Sequence, residues 1–166
     1  MKVEDTNALR FILQDEIYLL DEDKSLYSGT QKSQPEIKTP QPVFNYLGAN
    51  KKNFLILARY PEYEFIKDEH LTALEAVLGR IGYSRNDVAI LNLAKHDVSH
   101  QQHLDFFTPK TVVILGEAAI PPGMVDPKFN NVEKSEDLAV LYTFSFDEMM
   151  ANVANKKTFW EQIKNL

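Results

Sequence analysis

The chain reads as an α/β protein: a three-layer α/β/α domain around a central, mostly parallel, four-stranded sheet. Three observations predict this. Short apolar runs recur at Phe54–Ala58, Val88–Leu93, Val112–Leu115 and Leu138–Phe144. Apolar on nearly every residue, the first of them suits a strand covered on both faces. Between the first two lies a stretch in which Leu71, Leu74, Ala76, Val77, Leu78 and Ile81 follow helical spacing, closed by Gly82. Strands alternating with helices imply parallel pairing with crossover helices.

The chain has 166 residues, 44% of them apolar and 25% charged, which suits one domain with a real core plus a tail. Its formal charge of −6 removes the overall attraction that most non-specific nucleic-acid binders use, so no strong direct DNA binding is expected. With no cysteine, disulfides, thiolate metal sites and cysteine-held iron–sulfur clusters are excluded. No apolar run reaches membrane-spanning length, and Met1–Arg10 is too polar for a signal peptide. A soluble cytoplasmic protein without a cofactor or metal is the expectation.

Taken in order, residues 1–27 form an N-terminal segment. Thr6 or Asn7 can cap a short helix through Phe11–Leu13, and Ile17–Leu20 is a second apolar cluster before Asp21–Lys24. Residues 28–42 are polar, carry three prolines and read as a linker. An apolar segment before a linker either folds back on its domain or docks on a partner. The domain proper is expected over 43–166. Val43–Leu47 leads into a turn at Gly48-Ala49-Asn50, Asp68 is the expected cap of the first domain helix, and Ser84–Asp87 is a turn before the second strand. Thr108-Pro109-Lys110 introduces the third strand, which closes on the small residues Gly116–Ala119. Met124–Asp137 reads as polar connection, and Asp147 or Asn152 opens a last helical region with Phe159, Trp160, Ile163 and Leu166 as its stripe.

In an open α/β sheet ligands sit beyond the carboxyl ends of the strands. That directs attention to the Arg59–Phe65 loop and to Asn92–Lys95. Tyr60, Tyr63 and Phe65 make an aromatic loop that can stack on bases or pack on a neighbouring loop. His96, His100 and His103 recur at spacings of four and three, which is a metal-site geometry on a helix or simply a solvated polar face. His70 is expected to face solvent. A phosphate-binding Gly-rich loop is missing, because Gly116-Glu117-Ala118-Ala119 has one glycine and no Lys-Ser or Lys-Thr after it.

From Asn53 to Leu166 the ordered segments resemble the uracil-DNA glycosylase superfamily. The resemblance is carried by LILARYPEYEF, IGYSRNDVAILNLAK, TVVILGEAA and YTFSFDEMMANVANKKTFWEQIKNL. It implies a nucleobase pocket framed by Arg59, Tyr60, Glu62, Tyr63, Asn92, Ser145 and Phe146, with Asn92 at the position that reads the uracil edge. The catalytic motifs of that superfamily are absent. Its Gly-rich water-activating loop reads Ala58-Arg59-Tyr60-Pro61-Glu62-Tyr63, and its His-Pro-Ser motif reads Ser145-Phe146-Asp147. The pocket is therefore expected to be vestigial, with no catalytic residue.

The chain is also similar to the psi subunits of bacterial DNA polymerase III, which share that superfold without its chemistry. ALRFILQDEIYLLDED is similar to their opening peptide, FLILARYPEYEFIKDEHLTALEAVLGRIGYSRNDVAIL to their core and KKTFWEQI to their end. The likeness implies a non-enzymatic replication accessory protein. Leu9, Phe11, Ile12, Leu13, Ile17, Tyr18 and Leu20 would dock on clamp-loader subunits, and the folded body would meet a second partner such as a chi-like subunit. Two other readings stay open: a divergent nucleobase-releasing enzyme using Asn92 with Glu62, and an α/β interaction domain.

Overall fold

A computed structural model describes residues 43–96, 99–135 and 137–166. The expected docking segment at 1–27 and the linker at 28–42 lie outside the described residues. In chain order the elements are β1 (Leu47–Gly48), β2 (Phe54–Ala58), α1 (Asp68–Arg80), β3 (Val88–Asn92), α2 (His100–Phe107), β4 (Thr111–Leu115), β5 (Asn131–Lys134), β6 (Ala139–Thr143), α3 (Phe146–Ala151) and α4 (Val153–Ile163). Short 3₁₀ turns at Arg85–Asp87 and Glu117–Ala119 precede β3 and follow β4.

One sheet holds six strands in the order β1-β3-β2-β4-β6-β5. The four inner strands are parallel, as expected; β1 and β5 pair antiparallel at the two edges. The expected four-stranded sheet is thus corrected to a mixed sheet of six. The physical reason is that edge strands bury little. β1 has two half-buried residues, and β5 has the mostly polar sequence Asn-Val-Glu-Lys. Short, charged edges keep an exposed ladder from recruiting another strand.

All five residues of β2 and all five of β3 are buried, because both faces of the sheet are covered. Alternate side chains go to opposite cores. Phe54, Ile56, Val88 and Ile90 meet Leu74 and Leu78 of α1, Met149 of α3, and Phe159 and Ile163 of α4. Leu55, Leu57, Ala89 and Leu91 meet Phe44, Phe107 of α2 and Ala119. Each of these side chains larger than alanine contributes about 1.5–3 kcal/mol by leaving water. The chain runs from β2 through α1 to β3 on one side, then returns through α2 to β4 on the other. With right-handed crossovers, that reversal sends α1 and α2 to opposite faces. It also makes the β2/β4 boundary the point where the strand order reverses.

Local signals set the helix ends. α1 begins one residue earlier than the Asp68 cap implies: Lys67 holds the cap position without a side-chain cap bond, and Asp68 and Glu69 occupy the first turn, where the helix dipole favours carboxylates. It ends as expected at Gly82, whose φ of +79° lets Tyr83 N–H donate to Leu78 O (2.9 Å) and Gly82 N–H to Gly79 O (3.3 Å). The last helical region is two helices. Ser145, not Asp147, caps α3 through a capping box with Glu148, and Asn152 caps α4 by accepting from Ala154 N–H at 2.9 Å. No helix among the described residues is long and apolar enough to cross a membrane.

Candidate functional site

Asn92 is the last residue of β3, paired in register with Ala58 of β2, and is fully buried. Its carboxamide is spent on the neighbouring loop. Oδ1 accepts from Tyr60 N–H (2.9 Å) and Ala94 N–H (3.1 Å). Nδ2 donates to the carbonyls of Tyr60 (2.8 Å), Tyr63 (2.8 Å) and Glu64 (3.2 Å). Asparagine suits this place because it alone, with glutamine, offers two donors and an acceptor on one planar group. The loop after β2 leaves the sheet and must satisfy backbone groups with no ladder partner. Asn92 does that, and Lys95 adds an Nζ–H bond to Pro61 O at 2.9 Å.

The second cluster centres on His70. Expected to face solvent, it is instead buried, on the same helical face as Leu74 and Leu78. Spacings of four carry it inward although Asp68 and Glu69 beside it are exposed. Its ring stacks on Phe146 with centroids 5.4 Å apart and planes at 19°. Tyr60 Oη lies 2.9 Å from Nδ1, and Asp147 Oδ1 lies 3.8 Å from Nε2. Burial, and then the nearby Asp147 carboxylate, push the Tyr60 phenol well above its ordinary range. The phenol therefore keeps its proton and shares a hydrogen bond with Nδ1.

The loop after β2 and the segment after β6 therefore meet, through His70. Tyr60 comes from the loop after β2; Phe146 and Asp147 come from the segment after β6. Ser145 Oγ accepts from Glu148 N–H, and its own hydroxyl donates to Glu148 Oε2 at 2.7 Å. Gly116 packs against it so closely that a Cβ there would sit 2.8 Å from Ser145 Cβ, and its φ is +88°. Phe146 is buried in the core. Tyr63 is partly exposed and meets the Tyr60 ring edge-on at 6.2 Å. Arg59 and Glu62 are exposed, and both border an open cleft of about 390 Å³ with Lys67 and Asp147. Arg59 also borders a second, polar cleft of about 330 Å³ beside Lys95 and His96.

His70 and Asp147 were not among the candidates from sequence. His70 had a usable signal in its spacing from Leu74 and Leu78, whereas Asp147 reached the cluster only through the fold. The three remaining histidines do not form the solvated face considered for them. His103 is fully buried against Phe44, ring centroids 5.5 Å apart, and His96 packs on the same ring at 5.6 Å. Both ring nitrogens of His103 are buried without a hydrogen-bond partner. Among the described residues no group of three or more His, Asp or Glu side chains could hold a metal ion.

Chemically, the Asn92 carboxamide is a saturated polar group rather than a poised one. Asn92 cannot read a nucleobase edge without releasing backbone carbonyls and N–H groups that it now satisfies. Phe146 stacks on the His70 ring, and the Tyr60 ring packs tilted against it at 5.7 Å. No protein-family model matches the chain, and no curated protein matches it either.

Proposed function

We propose that the chain is a non-enzymatic, psi-like accessory protein of DNA replication. In this reading a three-layer, glycosylase-like α/β/α body has lost its base-releasing chemistry and serves as a scaffold in the cytoplasm. The observation that carries it is the Asn92 carboxamide, whose donors and acceptor are all engaged by Tyr60, Tyr63, Glu64 and Ala94. Support also comes from Ser145 acting as a helix cap and from Phe146 filling the space beside His70. Function then moves to surfaces. Leu9, Phe11, Ile12, Leu13, Ile17, Tyr18 and Leu20 dock on clamp-loader subunits, a few buried anchors supplying most of the affinity, and the folded body meets a chi-like second partner.

A pull-down with purified clamp-loader subunits tests the docking. The full chain is expected to be retained, and a chain lacking residues 1–25 to be lost. No retention of the full chain, or undiminished retention of the truncated one, contradicts the reading.

One observation favours a second reading, a divergent nucleobase-releasing enzyme. The Tyr60–His70–Asp147 series ends at an open cleft, where an ordered imidazole could move a proton. Glu62, the carboxylate expected to assist Asn92, is exposed at the same cleft.

A further inference from the structure

α1, α3 and α4 enclose a trough of about 280 Å³ on the outer side of the first core. α1 contributes the small side chains of Ala73 and Ala76, with Val77 beside them. The bulk missing there leaves the trough open. Its floor is the buried Phe146, Met149 and Phe159; its walls are the half-buried Trp160 and the 42% exposed Met150. Among the described residues two cations border it, Arg80 and Lys156, and no carboxylate does. Neither forms an ion pair with a described residue. In a chain of net charge −6, a trough whose described charged residues are both cations selects for the opposite sign.

We propose that this trough is a docking groove for an acidic amphipathic helix of a partner protein. The occupant follows from the walls. Helices offer no free backbone donors or acceptors along their sides, so an extended segment lying here would leave its own backbone unpaired. A helix satisfies its backbone internally and offers apolar anchors at spacings of three and four, the form that such grooves take. Methionines let the floor and wall adapt to the anchor. The Arg80 guanidinium lies over the Trp160 ring at 5.8 Å, where it stays available to a carboxylate at the groove's edge. Carboxylates flanking the incoming stripe then meet Arg80 and Lys156. The groove rests on these contacts alone and stands whether or not the replication role does.

Trp160 is the chain's single tryptophan, so its fluorescence reports the groove directly. The full chain would be titrated with a synthetic amphipathic helix carrying Leu and Phe at three- and four-residue spacing and Glu on both flanks. A second peptide with Lys in place of each Glu serves as the control. The acidic peptide is expected to shift Trp160 emission saturably, and the basic one not to. The double variant Arg80→Glu, Lys156→Glu changes only exposed side chains, and its fold is checked by circular dichroism. It is expected to weaken the acidic peptide by about tenfold or more. Three results overturn the proposal: no saturable shift with the acidic peptide, equal binding of the basic one, or unchanged affinity in the folded double variant. So does sedimentation showing a dimer that Met150→Glu dissociates, because the occupant is then a second copy of this chain.

Discussion

Replacing Asn92 with alanine is expected to lower stability by roughly 3 kcal/mol or more, the largest single effect of any side chain at the strand ends. The truncation removes the groups that satisfy Tyr60 N–H, Ala94 N–H and the carbonyls of Tyr60, Tyr63 and Glu64. Some of these reach water once the loop loosens, which caps the loss. The urea midpoint should fall with the slope unchanged. Amide exchange at Tyr60 and Ala94 should accelerate ahead of global unfolding, since the loop opens first. Asn92→Asp separates donor from acceptor. It keeps an oxygen for the two N–H groups but turns a second oxygen toward three carbonyls, so it should destabilise at least as much at neutral pH. The damage should ease as acid protonates the carboxyl and restores one donor. An Asn92→Ala variant within about 0.5 kcal/mol of the parent contradicts the clamp.

Acid should unfold this chain early, and His103 should be a main cause. Burial first, and then the neighbouring His100 and His96, hold its imidazole down to about 4 against an ordinary value of 6.5. The native state thus excludes a proton that the unfolded chain binds. Stability is complete above the unfolded value of 6.5 and is lost progressively as pH falls toward 4. The full span amounts to on the order of 3 kcal/mol. His103→Leu removes the titrating ring and keeps an apolar side chain against Phe44. Urea midpoints taken from pH 7 to 4 should fall less steeply in this variant than in the parent. Parallel curves for the two proteins rule out His103 as the source. Carboxylates titrate in both chains, so the difference between the curves is the informative quantity.

The inner sheet was legible because β2, β3 and β4 are covered on both faces, and such strands write continuous apolar runs between turn residues. Gly82 announced the end of α1 for the same kind of local reason. The edges were not legible. β1 is two residues long and ends in Gly48, whose φ of +108° reads as a turn, and a Cβ there would lie 2.2 Å from Val88 O. β5 pairs on one side only and carries Asn131, Glu133 and Lys134 among its residues, so nothing in it demands burial. At the site, Asn92 stood out by its place at a strand end. What it does there depends on backbone groups of residues 60–64, and backbone partners leave no mark in side-chain identity. His70 was obscured by the charged residues next to it, although a strict helical count places it with Leu74 and Leu78. His103 shows the converse: a polar residue on a polar-looking stretch can be drawn inside when an aromatic such as Phe44, distant in sequence, closes over it.

Release of uracil from uracil-bearing single-stranded DNA by the purified full chain tests most directly the claim that the polar groups at the strand ends hold the fold and perform no base chemistry. The account predicts release no greater than in a protein-free blank, even with the chain in excess over the DNA. Steady release over many turnovers, lost in a folded His70→Gln variant, would contradict it.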